Sequence, residues 1–114
     1  MEHIREIRFY KSYFKDFYIS QKQSVRDKIN YVLMLVETQM RIPVKFFRQI
    51  ETEDGLYEIR VELDGNIFRI FCCFDEGAIV VLFNAFQKKS AKTPRREIEK
   101  AVSIMNDYFR TKKI

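Results

Sequence analysis

Apolar and polar residues alternate along three segments between Tyr57 and Phe86, and turn residues separate the segments. A period of two is typical of strands, because successive side chains point to opposite faces of a sheet. The pattern therefore predicts an antiparallel three-stranded meander with one apolar face toward the core. That face comprises Tyr57, Ile59, Val61, Leu63, Phe68, Ile70, Cys72, Phe74, Ile79, Val81, Phe83 and Ala85.

The first hairpin of the meander turns at Asp64-Gly65, a dipeptide that suits a two-residue type I′ loop. Such a loop sets Arg60 directly opposite Arg69 on the polar face. Like charges in that position destabilise a sheet unless an anion lies beside them. The second hairpin turns within residues 75–78, and a two-residue or a four-residue loop there sets Asn84 opposite Arg69. The sequence thus predicts a row of Arg60, Arg69 and Asn84 across three strands.

Helical and strand patterns flank the meander. Ser24 is a candidate N-cap for a helix that Pro43 ends, and Thr93 is a candidate N-cap for a final helix with Pro94 at its first position. Together the elements predict an α+β fold, with helices against one sheet face, in which residues 1–114 form a single domain. The other predicted elements are short strands at Ile4–Phe9 and Phe46–Ile50 and a short aromatic helix at Tyr13–Tyr18.

Composition narrows the class of protein. The 114 residues are 46% hydrophobic, which is enough to bury a core without disulfides or metal. A formal charge of +5 favours nucleic acid or another acidic partner over a neutral small molecule. Cys72 and Cys73 are adjacent and point to opposite faces of a strand, so they cannot bridge each other, and a reducing, cytoplasmic setting fits best. No segment has the pattern of a secretory leader or the length of a membrane span, so we expect neither secretion nor membrane insertion.

The polar face of the meander leads into a basic rim. Arginine presents a planar fork of donors to phosphate oxygens, so Arg60 and Arg69 favour phosphodiester binding. Because the paired arginines repel each other, we expect Arg69→Ala in a solvated setting to change the free energy of unfolding by well under about 1 kcal/mol. The alternative interpretation is that Glu58 and Glu62 neutralise the two arginines in a solvated surface network, which predicts a small loss of stability instead. The rim comprises Lys88, Lys89, Lys92, Arg95 and Arg96, and the predicted RNA-binding residues are Asn84, Lys92, Arg95 and Arg96.

An RNA-cleaving site can work without histidine, because the ribose 2′-hydroxyl is the nucleophile. His3 is the only histidine, so neither a histidine-based triad nor a metal cluster is predicted, and no cofactor is expected. Catalysis then needs positive charge on the phosphate and proton transfer. The predicted catalytic residues are Arg60 and Arg69 for charge, Lys88 or Lys89 for protonating the leaving oxygen or positioning the phosphate, and Glu58 as the nearest base.

Three stretches in this order, GLYEIRVELDGNIFRIF, VVLFNAFQKK and KTPRREIEKA, resemble the RelE/ParE superfamily of toxins from type II toxin–antitoxin modules, and specifically its HigB-like, phage-associated branch. The resemblance implies a small α+β ribonuclease that cuts mRNA at the ribosomal A site and leaves 2′,3′-cyclic phosphate ends. It also implies a helix-turn-helix antitoxin as partner. By this likeness Arg60, Arg69 and either Lys88 or Lys89 occupy the family's basic positions.

Two other functions fit the same sequence. A ParE-like toxin of this fold acts on DNA gyrase without RNase chemistry, and a non-catalytic nucleic-acid-binding module would use the basic rim only to hold phosphates. Phe86, on the polar face, is either a residue that stacks on a base or ordinary core packing.

Overall fold

The chain folds into one five-stranded mixed sheet with helices on both faces. The computed structural model describes residues 2–89 and 92–112. The strand order is β1-β5-β4-β3-β2, with β1 parallel to β5 and the other neighbours antiparallel. The α+β prediction is therefore confirmed. The elements in chain order are β1 (Glu6–Phe9), α1 (Tyr13–Ile19), α2 (Gln23–Thr38), β2 (Phe47–Gln49), β3 (Tyr57–Leu63), β4 (Asn66–Asp75), β5 (Ile79–Lys88) and α3 (Arg95–Lys112).

The first hairpin has the predicted turn and register. Asp64 and Gly65 both have positive φ, 51° and 79°, as a type I′ loop requires. Leu63 pairs with Asn66, and Arg60 pairs with Arg69. The cross-strand arginine pair predicted from the sequence is confirmed.

The second hairpin differs from the prediction. Asp75 pairs with Ile79, so the loop has three residues, and its left-handed backbone lies at Glu76 (φ 47°) and Gly77 (φ 77°). A shift of one residue sends every side chain of the following strand to the other face. The prediction that Ile79, Val81 and Phe83 share the face of Ile70 is therefore wrong.

A β-bulge in β5 changes the register a second time. Cys72 pairs with Leu82 but Ile70 pairs with Ala85, so one residue of β4, Phe71, lies opposite two residues of β5. Arg69 consequently pairs with Phe86. The predicted row of Arg60, Arg69 and Asn84 is wrong at its third member.

Each face of the sheet has its own hydrophobic core. Helices α1 and α2 pack on the first face, and α3 packs on the second. The prediction of helices on one face only is wrong, because the second face is almost as apolar as the first once the register of β5 is corrected. The buried residues of the first core are Phe14, Val25, Ile29, Val32, Val36, Ile59, Val61, Phe68, Ile70, Cys72, Val80 and Leu82. Those of the second are Ile50, Leu56, Phe71, Cys73, Val81, Phe83, Ala101 and Ile104.

Helix α2 begins and ends without the predicted signals. Lys22 occupies the N-cap position, and Ser24 lies within the first turn. The helix ends at Thr38, before Pro43, and its last carbonyls are capped by Arg5 from a distant part of the chain. The Arg5 guanidinium donates to the carbonyl oxygens of Val36, Gln39 and Met40 at 3.0, 2.7 and 2.9 Å. A cation at this end also interacts favourably with the helix dipole.

The C-terminal part of α3 is tied to the sheet by polar contacts. Tyr108 Oη donates to Asp75 Oδ2 at 2.5 Å, and Lys112 Nζ donates to both oxygens of Asp75 at 2.6 and 2.7 Å. The hydrogen bonds from Lys112 and Tyr108 hold the pKa of Asp75 below its ordinary value. Helix α3 starts at Arg95, one residue later than predicted. Its position over the second face sets one wall of the site described next.

The chain has a radius of gyration of 13.5 Å, close to the value of about 13 Å expected for a folded domain of this length. Within residues 2–89 and 92–112, no helix combines the length and the apolar character needed to cross a bilayer.

Candidate functional site

A buried ion pair joins β3 to β4 on the face that α3 covers. Arg69 Nη1 donates to Glu58 Oε2, and the two residues are only 3% and 4% exposed. Glu58 Oε1 accepts a second hydrogen bond, at 3.4 Å, from Nε of Arg48 on β2. One carboxylate thus bridges two guanidiniums from the strands on either side of it. Burial, and then the charge of Arg48, lower the pKa of Arg69 from its ordinary value.

Arg60 lies opposite Arg69 but has its own partner. Its Nη2 is 3.2 Å from Glu62 Oε1, and both side chains of this pair are partly exposed. The sequence interpretation that Glu58 and Glu62 neutralise the two arginines is therefore correct as to the partners. It is wrong as to the setting of the first pair, because Arg69 and Glu58 are buried rather than solvated.

Lys88, at the end of β5, completes a group of four cations. It pairs with Ile67 at the end of the sheet and is half-buried. Burial, followed by the charges of Arg69, Arg48 and Arg60, lowers the pKa of Lys88 below 10.5. We call Arg48, Arg60, Arg69 and Lys88 the basic cluster. In the described part of the chain two carboxylates, Glu58 and Glu62, are paired with the cluster, so these six side chains together carry two more positive than negative charges.

Arg48 was missed by the sequence analysis. Its side chain is 54% exposed although its Nε contacts the buried Glu58. The signal was present, because a strand was predicted around Phe46–Ile50. Pairing that strand with β3 sets Arg48 directly opposite Glu58.

The exposed side of Arg48 opens into a cleft of about 330 Å³ between β2 and the start of α3. Glu58 and Thr93 both line this cleft. The predicted basic rim runs from Lys88 at the end of β5 to Arg95 and Arg96 in the first turn of α3. Lys89, Lys92, Arg95 and Arg96 are exposed there. Arg95 Nη2 is 4.0 Å from Glu53 Oε2, the outer limit of an ion pair.

Asn84 does not join the basic cluster. It is 3% exposed, and its Nδ2 donates to the backbone carbonyl of Glu97 at 3.3 Å and to the Glu97 carboxylate at 3.4 Å. Asn84 therefore links β5 to the first turns of α3. Phe86 stacks on Phe71, with ring centroids 5.8 Å apart, and packs against the second core. Of the two interpretations of Phe86, the geometry supports core packing.

Glu58, predicted as the base, is engaged by two arginines. Both of its oxygens accept hydrogen bonds from guanidiniums. In this arrangement the carboxylate holds the arginine side chains in place, and its proton-accepting role stays a prediction. Over residues 2–89 and 92–112, no group of histidine, cysteine, aspartate and glutamate side chains has a metal-binding arrangement.

Comparison with known proteins identifies a family model that covers most of the chain. The family model described as phage-derived protein Gp49-like matches residues 16–106, which is more than half of the chain. A search of curated proteins finds no match. The matched residues include every member of the basic cluster and its two carboxylate partners. The chain therefore belongs to the family of phage-derived Gp49-like proteins.

Proposed function

We propose that this protein is the toxin of a type II toxin–antitoxin module and acts as a ribosome-dependent mRNA endoribonuclease in the cytoplasm. The observation that carries the proposal is the basic cluster, in which β2, β3, β4 and β5 each contribute one cation and the buried carboxylate of Glu58 is shared by Arg48 and Arg69. Membership of the Gp49-like family supports the toxin assignment, since that family is commonly toxin-like. The sequence resemblance to the HigB-like branch of the RelE/ParE superfamily supports the substrate and a helix-turn-helix antitoxin as partner.

The chemistry is a transesterification that needs no metal and no water. The ribose 2′-oxygen attacks the adjacent phosphorus while the bond from phosphorus to the 5′-oxygen breaks. The products are a 2′,3′-cyclic phosphate and a 5′-hydroxyl. The 2′-hydroxyl proton goes to an acceptor, and the leaving 5′-oxygen gains a proton from a general acid.

The basic cluster can supply positive charge beside the phosphate and a proton for the leaving 5′-oxygen. Arg60 and Arg48 are partly exposed and can contact phosphate oxygens. Arg69 is buried, so it acts on the phosphate through its charge and not by direct contact. Lys88 is the better general acid of the two candidate lysines, because burial, followed by the charges of three guanidiniums, lowers its pKa and so makes its proton easier to donate. Lys89 is exposed.

Expression of the protein alone should arrest growth, and co-expression of an antitoxin encoded beside it should restore growth. The basic cluster and rim give an acidic or helical partner a surface of opposite charge to cover. RNA isolated during the arrest should contain new ends in translated frames, spaced in phase with codons. Normal growth of cells that hold abundant folded protein would contradict the toxin assignment. An SOS response without new RNA ends would point to gyrase instead.

Cleavage by the purified protein should depend on the ribosome. Among the described residues, no exposed aromatic side chain lies in the basic cluster to stack on a base, so the site by itself orients RNA weakly. We expect ribosome-bound message to be cut at least about 100-fold faster than the same RNA free in solution. Initial rates measured with and without ribosomes test this, and equal rates would contradict it.

A further inference from the structure

A second, smaller basic cleft shares Arg60 with the basic cluster. It has a volume of about 220 Å³ and is lined by Lys28 of α2, Lys45 and Phe46 of the loop before β2, and Arg60 and Glu62 of β3. We call it the Lys28 cleft. It is built from three separate parts of the chain, two of which are joined by the backbone N–H of Arg60, which donates to the carbonyl oxygen of Phe46 at 2.8 Å.

The Lys28 cleft has an excess of positive charge. Among the described residues that line it, Glu62 is the only carboxylate, and it is paired with Arg60 at 3.2 Å. Within the described part of the chain, neither Lys28 nor Lys45 has a carboxylate within 4.0 Å. Two ammonium groups thus border a small space without a neutralising partner, which is the electrostatic setting that attracts an anion.

Aromatic rings hold both ammonium groups. Lys45 Nζ lies 4.9 Å from the ring centroid of Phe46, and Lys28 Nζ lies 5.1 Å from that of Tyr31. Such cation–π contacts favour a defined position for a flexible lysine, so less side-chain entropy is lost when an anion binds. The two lysines are therefore partly preorganised.

The Lys28 cleft is continuous with the basic cluster. Arg60 is a member of the basic cluster and also lines the cleft. A polyanion that contacts Lys88 and Arg60 would therefore continue into the cleft. A single small anion would leave one of these two groups of cations unused.

We propose that the Lys28 cleft binds a second phosphodiester of RNA, beyond the phosphodiester at the basic cluster. This inference rests on the proposed function for the identity of the polyanion. The RNA backbone concerned belongs either to the message or to ribosomal RNA, since both present the same phosphodiester chemistry. Lys28 and Lys45 contact the phosphate oxygens, and Arg60 spans the two neighbouring sites.

The test compares Lys28→Gln/Lys45→Gln with a control, Lys15→Gln/Lys100→Gln, which removes the same charge from exposed positions on α1 and α3. Full-length proteins are titrated with a fluorescent single-stranded 2′-O-methyl oligoribonucleotide at several salt concentrations. Separately, their binding to purified ribosomes is measured by co-sedimentation. The oligonucleotide has no free 2′-hydroxyl, so the protein cannot cleave it by the proposed chemistry.

We expect the Lys28→Gln/Lys45→Gln protein to bind about tenfold more weakly. The slope of log affinity against log salt should fall by about 0.7 for each phosphate that the variant no longer neutralises. Weaker oligonucleotide binding identifies the message as the ligand, and weaker ribosome binding alone identifies ribosomal RNA. Unchanged binding to both probes, or an equal weakening in the control, overturns the inference. Circular dichroism melts confirm that each variant is folded.

The outcomes separate this inference from the proposed function. If the protein cleaves no RNA but binds the oligonucleotide more weakly when Lys28 and Lys45 are changed, the result supports phosphate binding in the Lys28 cleft and contradicts the RNase assignment. If the protein cleaves message on the ribosome but binds both probes equally well after the change, the result supports the RNase assignment and contradicts phosphate binding in the Lys28 cleft.

Discussion

Arg69→Ala should lower the free energy of unfolding by about 3–5 kcal/mol, the cost typical of removing one partner from a buried ion pair. The substitution leaves the Glu58 carboxylate 4% exposed with only the 3.4 Å contact from Arg48. The sequence predicted almost no change in the free energy of unfolding, because Arg69 was expected to be solvated. Urea unfolding followed by circular dichroism measures the change.

Arg60→Ala is the matched control for this experiment. It removes the same side chain from the directly opposite position, but its partner Glu62 is exposed and the loss should be under about 1 kcal/mol. The double variant Glu58→Gln/Arg69→Met removes both charges and should be closer to the parent than Arg69→Ala is. If Arg69→Ala is as stable as Arg60→Ala, the pair does not act as a buried one.

Lys88→Met should reduce the rate of mRNA cleavage on the ribosome by about 100-fold or more, the effect typical of removing a general acid. The long apolar side chain of methionine fills the half-buried position of Lys88, so we expect the variant to stay folded. Single-turnover cleavage of ribosome-bound message measures the rate. Lys89→Met, one residue further along, is exposed in the parent and should lose less than about tenfold.

The pH dependence gives a second readout for Lys88. The protonated ammonium is the active form, so the rate should fall as pH rises through its pKa, and this pKa is below 10.5 in the folded protein. Arg48→Met removes one of the charges that lower it and should move the alkaline fall to higher pH. An alkaline limb that does not move, together with full activity of Lys88→Met, would exclude Lys88 as the acid.

The parts of the fold that local chemistry determines were predictable from the sequence. Asp64-Gly65 sets the first hairpin, and the pairing of Arg60 with Arg69 follows from it by counting. The second hairpin could not be resolved in this way, because two-residue, three-residue and four-residue loops all fit the segment DEGA. A choice among them needs the packing of β5 against α3, which no local pattern contains.

The errors in the candidate site have the same origin. Counting residues from the second turn cannot predict the extra residue of the bulge in β5. The sequence therefore predicted Asn84 beside Arg69, whereas Asn84 contacts Glu97. The burial of Glu58 and Arg69 was hidden for another reason. Charged residues on alternate positions of a strand indicate a solvated face, and only the placement of α3 over that face shows otherwise.

The two adjacent cysteines lie in different cores, Cys72 under α1 and α2 and Cys73 under α3. Burial raises the pKa of Cys73 to about 12 and raises the pKa of Cys72 well above its ordinary value, so both thiols are unreactive while the fold is closed. The rate at which each thiol is alkylated therefore reports how often the helices that cover its core separate from the sheet. Alkylation of Cys73 ahead of Cys72 would time the lifting of α3 from the sheet, whereas equal labelling rates would mean that both layers open together.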